Sequence, residues 1–516
     1  MSTLSLASLL AESALRHPDR TAVVFSGQQI SYQRLWEDSR RYAAVLRDRG
    51  IGAGDRVALL VPNVPDFPRF YYGTLALGAV VVPVHSLLTP DEIVYVLEDS
   101  GAKLLVASGP LVETGSKGAE LAGVPMLTSL LPEALPGIQR VEDLAAGVAP
   151  IDTYRSRQPD DDAVILYTSG TTGQPKGAVL SHFNLVMNAM LARMDVIHLG
   201  PDDVVLGCLP LFHSFGQSCA MNAGFAAGAS LVLMPRFDGA QALELMQTNG
   251  VTVFMGVPTM YLGLLDALAK GAAPSPLRIA ASGGAPIPVA VIEKFKQAFG
   301  ADIYEGYGLS ETSPVATFNQ EVFGRKPGSV GHPIWGVDVE IARAEIEDRV
   351  ELLPRGEIGE IVIRGHNVMK GYLGRPEATA AAIVDGWFRS GDLGTKDAEG
   401  FVTIVDRKKD MVLRGGFNVY PREVEEALAR HPAIAQVAVI GLPDATHGEE
   451  VCAVVKLTDE AAARPATEVA DDIVAWSKQH VGRHKYPRLI KIVDEFPLGP
   501  SGKVLKRELV SRYRHP

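Results

Sequence analysis

Apolar residues fall along the chain in two alternating rhythms. Short β-branched runs (Thr21–Phe25, 57–61, Val80–Pro83 and 103–106) alternate with longer stretches of helical spacing, such as 32–49 and Pro90–Ser100. This alternation predicts βαβ units and a mainly parallel sheet, with Ser31 capping the first of these helices. Residues 108–153, rich in Ala, Gly, Pro and Leu, carry no recognisable chemistry and are expected to wrap the first sheet. Further on, 164–167, 251–255 and 277–281 read as buried strands, while 181–194 and 258–268 read as helices. From 328 to 364 the runs become short and β-rich, which predicts a small antiparallel subdomain. After residue 410 come a helix at 421–429 with an acidic first turn, strands at 434–440 and 451–457, a helix at 469–481 and a strand at 488–493. The predicted class is α/β: a large N-terminal domain of two βαβ-type sheets plus the small β subdomain, then a small α+β C-terminal domain.

Composition narrows this picture. A chain of 516 residues is too long for one core. Lys and Arg number 49 against 60 Asp and Glu, a net charge of -11, which leaves no polycationic surface for nucleic acid. Three scattered cysteines, Cys208, Cys219 and Cys452, suit neither a disulfide frame nor a zinc site, and they point to a reducing compartment. Residues 1–20 lack the basic start and cleavage site of a signal peptide, and Leu4, Leu9, Leu10 and Leu15 suggest an amphipathic opening helix. Residues 204–235 contain no Asp, Glu, Lys or Arg. Pro210, His213, Gln217 and Asn222 interrupt them, so a buried loop, helix and strand fit better than a transmembrane span. A soluble, cytoplasmic chain is expected.

The strongest chemical signal lies at Tyr167-Thr168-Ser169-Gly170-Thr171-Thr172-Gly173-Gln174-Pro175-Lys176-Gly177. Glycines let backbone N–H groups converge on a polyanion, the hydroxyls add donors and Lys176 adds a charge, so the stretch reads as a phosphate cradle. Pro175 stands where a Walker loop would begin its Gly-Lys-[Ser/Thr]. A plain surface turn would explain the glycines but not so many hydroxyls beside one lysine.

The stretch resembles the phosphate loop of the adenylate-forming superfamily, which includes acyl- and aryl-CoA ligases, peptide-synthetase adenylation domains and beetle luciferases. Further matching motifs follow in that family's order. The segment Leu209-Pro210-Leu211-Phe212-His213-Ser214-Phe215-Gly216 matches one that lies beside the substrate carboxylate and acyl pocket. A lone histidine in apolar sequence is more often structural, but here the resemblance makes Phe212 and His213 substrate-binding candidates, together with Val257, Met260, Gly284 and Gly308. Where peptide-synthetase domains hold an aspartate for the substrate amine, this segment has no carboxylate, which disfavours amino acids. Gly283, Gly284, Ala285 and Pro286 end a strand, as expected for a ligand crevice, and the resemblance puts adenine there. In Glu305-Gly306-Tyr307-Gly308-Leu309-Ser310-Glu311-Thr312, Tyr307 can stack on adenine. The resemblance assigns Mg²⁺ to Glu311 with Thr168, and makes Glu305, Gly306, Gly308 and Thr312 part of the nucleotide site. It also gives the ribose to Asp392 and Arg407, the hinge to Lys409 and the catalytic role to Lys503 with Glu311, Lys176 and His213. Arg414, Gly415 and Gly416 would border the channel for the pantetheine arm.

The resemblance thus implies a domain at 1–408 holding ATP and the acyl pocket, and a mobile domain at 409–516 carrying Lys503. The expected activity is an ATP-dependent carboxylic acid:CoA ligase with an acyl-AMP intermediate, using ATP, Mg²⁺ and coenzyme A. Small and flexible residues around 221–228 and 255–262 favour a medium- or long-chain fatty acid. An aryl or other specialised acid, an acyl-AMP ligase loading a separate carrier protein, and a non-catalytic nucleotide-binding protein are the alternatives. The intact Glu311 and Lys503 argue against the last. Only thirteen residues follow Lys503, so no fused carrier domain is expected, and a homodimer stays open.

Overall fold

A computed structural model of the protein describes residues 3–168, 174–444, 446–499 and 503–514. Among these, the strands form four sheets. The first has nine strands, in the order His332–Pro333, Val315–Phe318, Ile303–Gly308, Ile279–Ser282, Val253–Gly256, Val204–Gly207, Ser230–Leu233, Thr21–Phe25 and Gln28–Ser31. The second has eight: Gly371–Tyr372, Lys176–Ser181, Asp162–Thr168, Val80–Pro83, Arg56–Leu60, Leu104–Ser108, Met126–Ser129 and Gln139–Arg140. A five-stranded antiparallel sheet includes Val337–Ala342, Gly359–Gly365 and Trp387–Lys396. A fourth, again five-stranded, lies in the C-terminal part. One buried cluster spans both large sheets and is rich in Val, Leu and aromatic residues. No helix among the described residues is long and apolar enough to cross a membrane.

The local expectations hold where the pattern is strong. Ser31 caps the helix Tyr32–Arg47, its hydroxyl accepting from the Arg34 N–H at 3.2 Å. Pro90–Ser100 has a full capping box between Thr89 and Glu92, with Pro90 in its first turn. Residues 204–235 form a strand, helices and a strand, packed inside the N-terminal core.

Three expectations need correcting. Thr21–Phe25 does not join the sheet that holds Arg56–Leu60, Val80–Pro83 and Leu104–Ser108. It turns back in a hairpin with Gln28–Ser31 and pairs in parallel with Ser230–Leu233 in the other sheet. Residues 108–153 do not merely wrap the second sheet, because Met126–Ser129 and Gln139–Arg140 extend its edge. The helix expected at 181–194 also changes character, as His182–Leu191 is α-helical and continues as a π-helical turn at Ala192–Val196. A longer π-helical stretch, Phe215–Asn222, follows His213. A buried network holds it: Tyr71 donates to Gln217 at 3.2 Å, Tyr72 donates to Asn222 at 2.7 Å, and Asn222 donates to Tyr71 at 3.2 Å. π-Helical turns of this kind often sit at functional sites, and this one carries the wall of the cleft described next.

Candidate active site

A single cleft of about 2450 Å³ runs between the strand ends of the large sheets and the C-terminal part. Small-molecule pockets commonly measure ~300–1,000 Å³, so this one has room for two ligands together. Its apolar lining includes Val196, Ile197, Phe212, Phe215, Cys219, Leu262 and Val315. Charged residues line it too, among them Lys176, Glu311, Asp392, Arg407 and Lys503.

At the mouth of the phosphate loop, Thr168 and Lys176 face each other across the antiparallel pair Asp162–Thr168 and Lys176–Ser181. Residues Ser169, Gly170, Thr171, Thr172 and Gly173, assigned to the cradle from the sequence, lie outside the described residues. The stem around them is clamped. Tyr167 donates to Asp99 at 2.8 Å and Tyr95 donates to the Pro175 carbonyl at 2.7 Å. Opposite the stem, the buried Glu311 carboxylate accepts at Oε1 from the Thr168 hydroxyl at 3.2 Å and the Tyr372 hydroxyl at 2.9 Å.

Tyr307 donates to Asp392 at 2.7 Å, and Arg407 Nε reaches the other Asp392 oxygen at 3.2 Å. Burial raises the Asp392 carboxyl pKa and Arg407 opposes it, so the aspartate is pre-positioned between a phenol and a guanidinium. Gly308 cannot carry a side chain, because a Cβ there would overlap the Pro314 carbonyl. Glu305 lines the same end, accepting from the Gly328 N–H at 2.8 Å, and burial pushes its carboxyl up to about 7.

Lys503 comes from the far end of the chain and lies against Gly284, whose φ of +79° is strained for any residue with a side chain. A Cβ added there would meet Lys503 Cε at 3.4 Å and Val257 Cγ1 at 3.5 Å. Burial, reinforced by Arg407, lowers the Lys503 ammonium to about 8, while Asp392 and Glu311 favour its charge. His213 Nδ1 accepts from the Phe215 N–H at 3.3 Å. Burial, with Lys503 and His85 nearby, drops it to about 3, so it is a neutral imidazole.

Gly283, Gly284, Ala285, Pro286, Gly306, Phe212 and Lys409 also border the cleft. Several residues singled out in the sequence do not line it, among them Val257, which is buried in the core. Met260 packs into the core beside Cys208, while the same helix turns Thr259 and Leu262 to the cleft. Met221, in the stretch expected to make room for a chain, is fully buried, while Phe215 and Cys219 of the same turn line the cleft. Thr312 is fully buried, with its hydroxyl donating to the Pro314 carbonyl at 2.6 Å, so it shapes the turn that carries Glu311. Arg414 forms a buried pair with Glu450 at 2.7 Å within the C-terminal sheet. Gly415 and Gly416 make the tight turn between Val412–Arg414 and Phe417–Val419, with φ of +57° and +82°.

Two polar cleft residues that sequence reading missed stand out. His85 packs at a tilt against Phe212 with ring centroids 4.5 Å apart, and burial lowers it to about 4. Its place just past the end of the parallel strand Val80–Pro83 was the available signal. Tyr372 had none, since it reaches Glu311 only through non-local sheet pairing.

The profile described as AMP-binding enzyme matches residues 10–373, and that of the AMP-binding enzyme C-terminal domain matches residues 423–503. The chain is 37% identical to a long-chain-fatty-acid–CoA ligase of Bacillus subtilis (strain 168), over 98% of this chain and 94% of that protein. It is 36% identical to a feruloyl-CoA synthase of Amycolatopsis sp, over 99% of this chain and all of the other. Among solved structures it is similar to a benzoate CoA ligase from Burkholderia xenovorans LB400, with a TM-score of 0.89, 29% identity, and coverage of 98% of this chain and 99% of that one.

Proposed function

The chain belongs to the AMP-binding enzyme family and is an AMP-forming acyl-CoA ligase, and we propose that it activates a monocarboxylic acid with an uncharged body. A medium- or long-chain fatty acid is the first choice and an aryl acid the second. The observation that carries this reading is the convergence in one cleft of Lys503, Glu311 and the Asp392–Arg407 pair beside an apolar wall. Beside the neutral His213, the lining residues Phe212, Ser214, Phe215 and Cys219 offer no carboxylate to a substrate ammonium and no cation to a second acid group. Burying either charge unpaired would cost several kcal/mol.

In the first step the substrate carboxylate attacks the α-phosphorus of ATP, and pyrophosphate leaves. Lys176 and the loop beside it hold the departing phosphates, Asp392 accepts from the ribose hydroxyls and Lys503 supports charge on the carboxylate and α-phosphate oxygens. Positioning and fixed charge do most of this work. The donor set suits Mg²⁺. Among the described residues no cluster of three His, Cys, Asp or Glu exists, and a cation carried in by phosphates needs only one or two carboxylates, which Glu311 supplies with the Thr168 hydroxyl beside it. When bound there, the cation would neutralise charge growing on the leaving phosphates. In the second step the part beyond Lys409 turns, Lys503 withdraws, and the turn at Gly415 and Gly416 comes to border the CoA arm. The thiol then attacks the acyl carbon and AMP departs.

Pyrophosphate exchange across octanoate, laurate, palmitate, benzoate, ferulate, malonate and phenylalanine, repeated with CoA to follow thioester formation, tests the substrate class. Each methylene taken up by an apolar wall is worth about 0.8 kcal/mol, roughly fourfold in binding. KM is expected to fall stepwise from octanoate upward, with malonate and phenylalanine inactive. An aromatic acid preferred with no chain-length trend would select the second choice. Turnover of malonate or phenylalanine would overturn the uncharged-body reading.

A further inference from the structure

Residues 369–375 run as a strap along the outer edge of Lys176–Ser181, with Gly371–Tyr372 pairing antiparallel to it. The Met369 N–H donates to the Glu311 carbonyl at 2.8 Å, Lys370 N–H to Val179 at 3.0 Å and Leu373 N–H to Gly177 at 2.8 Å, so the strap is bonded to the backbone of both motifs. Arg375 anchors its end on Asp99 at 2.7 Å, the carboxylate that also holds Tyr167. Between these anchors, Tyr372 uses both parts of its side chain. Its hydroxyl donates to Glu311 Oε1 at 2.9 Å, and its ring face lies 5.2 Å from the Lys176 ammonium.

We propose that Tyr372 is the positioning residue of the pyrophosphate end of the site, fixing the Glu311 carboxylate through its hydroxyl and the Lys176 ammonium through its ring. Resting on the ligase reading above, this assigns a task to a residue outside the nucleotide motifs. Both hydroxyl bonds fall on Oε1, which orients the carboxylate and leaves Oε2 to face a cation. A cation over an aromatic face is held more weakly, at ~0.5–1 kcal/mol when exposed, so the ammonium stays free to move onto a phosphate. One phenol thereby sets an anion and a cation relative to each other before nucleotide arrives.

Tyr372→Phe keeps the ring and removes the hydroxyl. Calorimetric titration of the full chain with ATP, in excess Mg²⁺ and in EDTA, separates the two tasks. The expected result is about tenfold weaker binding of Mg·ATP, in line with loss of one bond to a charged group, and unchanged binding of ATP in EDTA. Thioester formation from supplied acyl-AMP should match wild type. A second measurement starts from Glu311→Gln: adding Tyr372→Phe should cost no further Mg²⁺-dependent binding, because the two changes act through one carboxylate. Equal affinity of Tyr372→Phe and wild type for Mg·ATP, an equal loss with and without Mg²⁺, or full additivity with Glu311→Gln would each overturn the proposal. Wild type that fails to bind Mg·ATP would instead overturn the ligase reading on which it rests.

Discussion

At the scale of single residues, the site depends on one lysine whose charge is finely set. Burial and Arg407 hold the Lys503 ammonium near 8, so it is protonated below that pH and neutral above it. If the ammonium is what supports adenylation, kcat/KM for pyrophosphate exchange falls as pH rises through about 8, with the slope of one proton. Glu305 loses its proton in the neighbouring range, near 7, and is the competing source of such a limb. A Glu305→Gln variant should therefore keep the limb at about 8, and its disappearance there would assign the titration to the glutamate instead. His213, near 3, contributes no limb between pH 5 and 9. Motif residues such as Glu311, Asp392 and Lys503 were legible because each stands in a short run of special composition. Met260 was misread because the helix Pro258–Ala269 is apolar on more than one face, and only packing decides which face meets the cleft.

At the scale of elements, the junction 406–410 joins the strands Val402–Arg407 and Val412–Arg414 by a tight turn, closed by the Asp410 N–H on the Arg407 carbonyl at 3.0 Å. Lys409→Pro leaves that donor in place but fixes φ at the proposed hinge. The expected outcome is acyl-AMP formation within a few-fold of wild type and thioester formation slowed at least about tenfold, read by stopped assays of each step. Steady-state CoA ester production equal to wild type would put the hinge elsewhere. Helix and strand positions were legible from periodicity, including the capped Pro90–Ser100. The π-helical turns were not, because one extra residue in a turn leaves the apolar pattern of 192–196 and 215–222 almost unchanged. The turn at Phe215–Asn222 owes its place to Tyr71, Tyr72, Gln217 and Asn222, residues brought together across some 150 positions.

At the scale of the whole molecule, the class of fold could be read from the order of elements, yet the partition of strands between two sheets could not. Thr21–Phe25 pairs with Ser230–Leu233, some two hundred residues away, and no local rhythm encodes that partner. More than three hundred residues separate the phosphate-loop stem from Lys503, yet both line one cleft. On the proposed mechanism one cleft serves two steps, and Lys503 takes part only in the first. The most direct test is to measure both half-reactions in Lys503→Ala. Pyrophosphate exchange should slow by about 10²–10³, the usual loss for one preorganised charge at a developing anion. Conversion of supplied acyl-AMP and CoA to the thioester should proceed at the wild-type rate. Equal loss in both half-reactions would contradict the account.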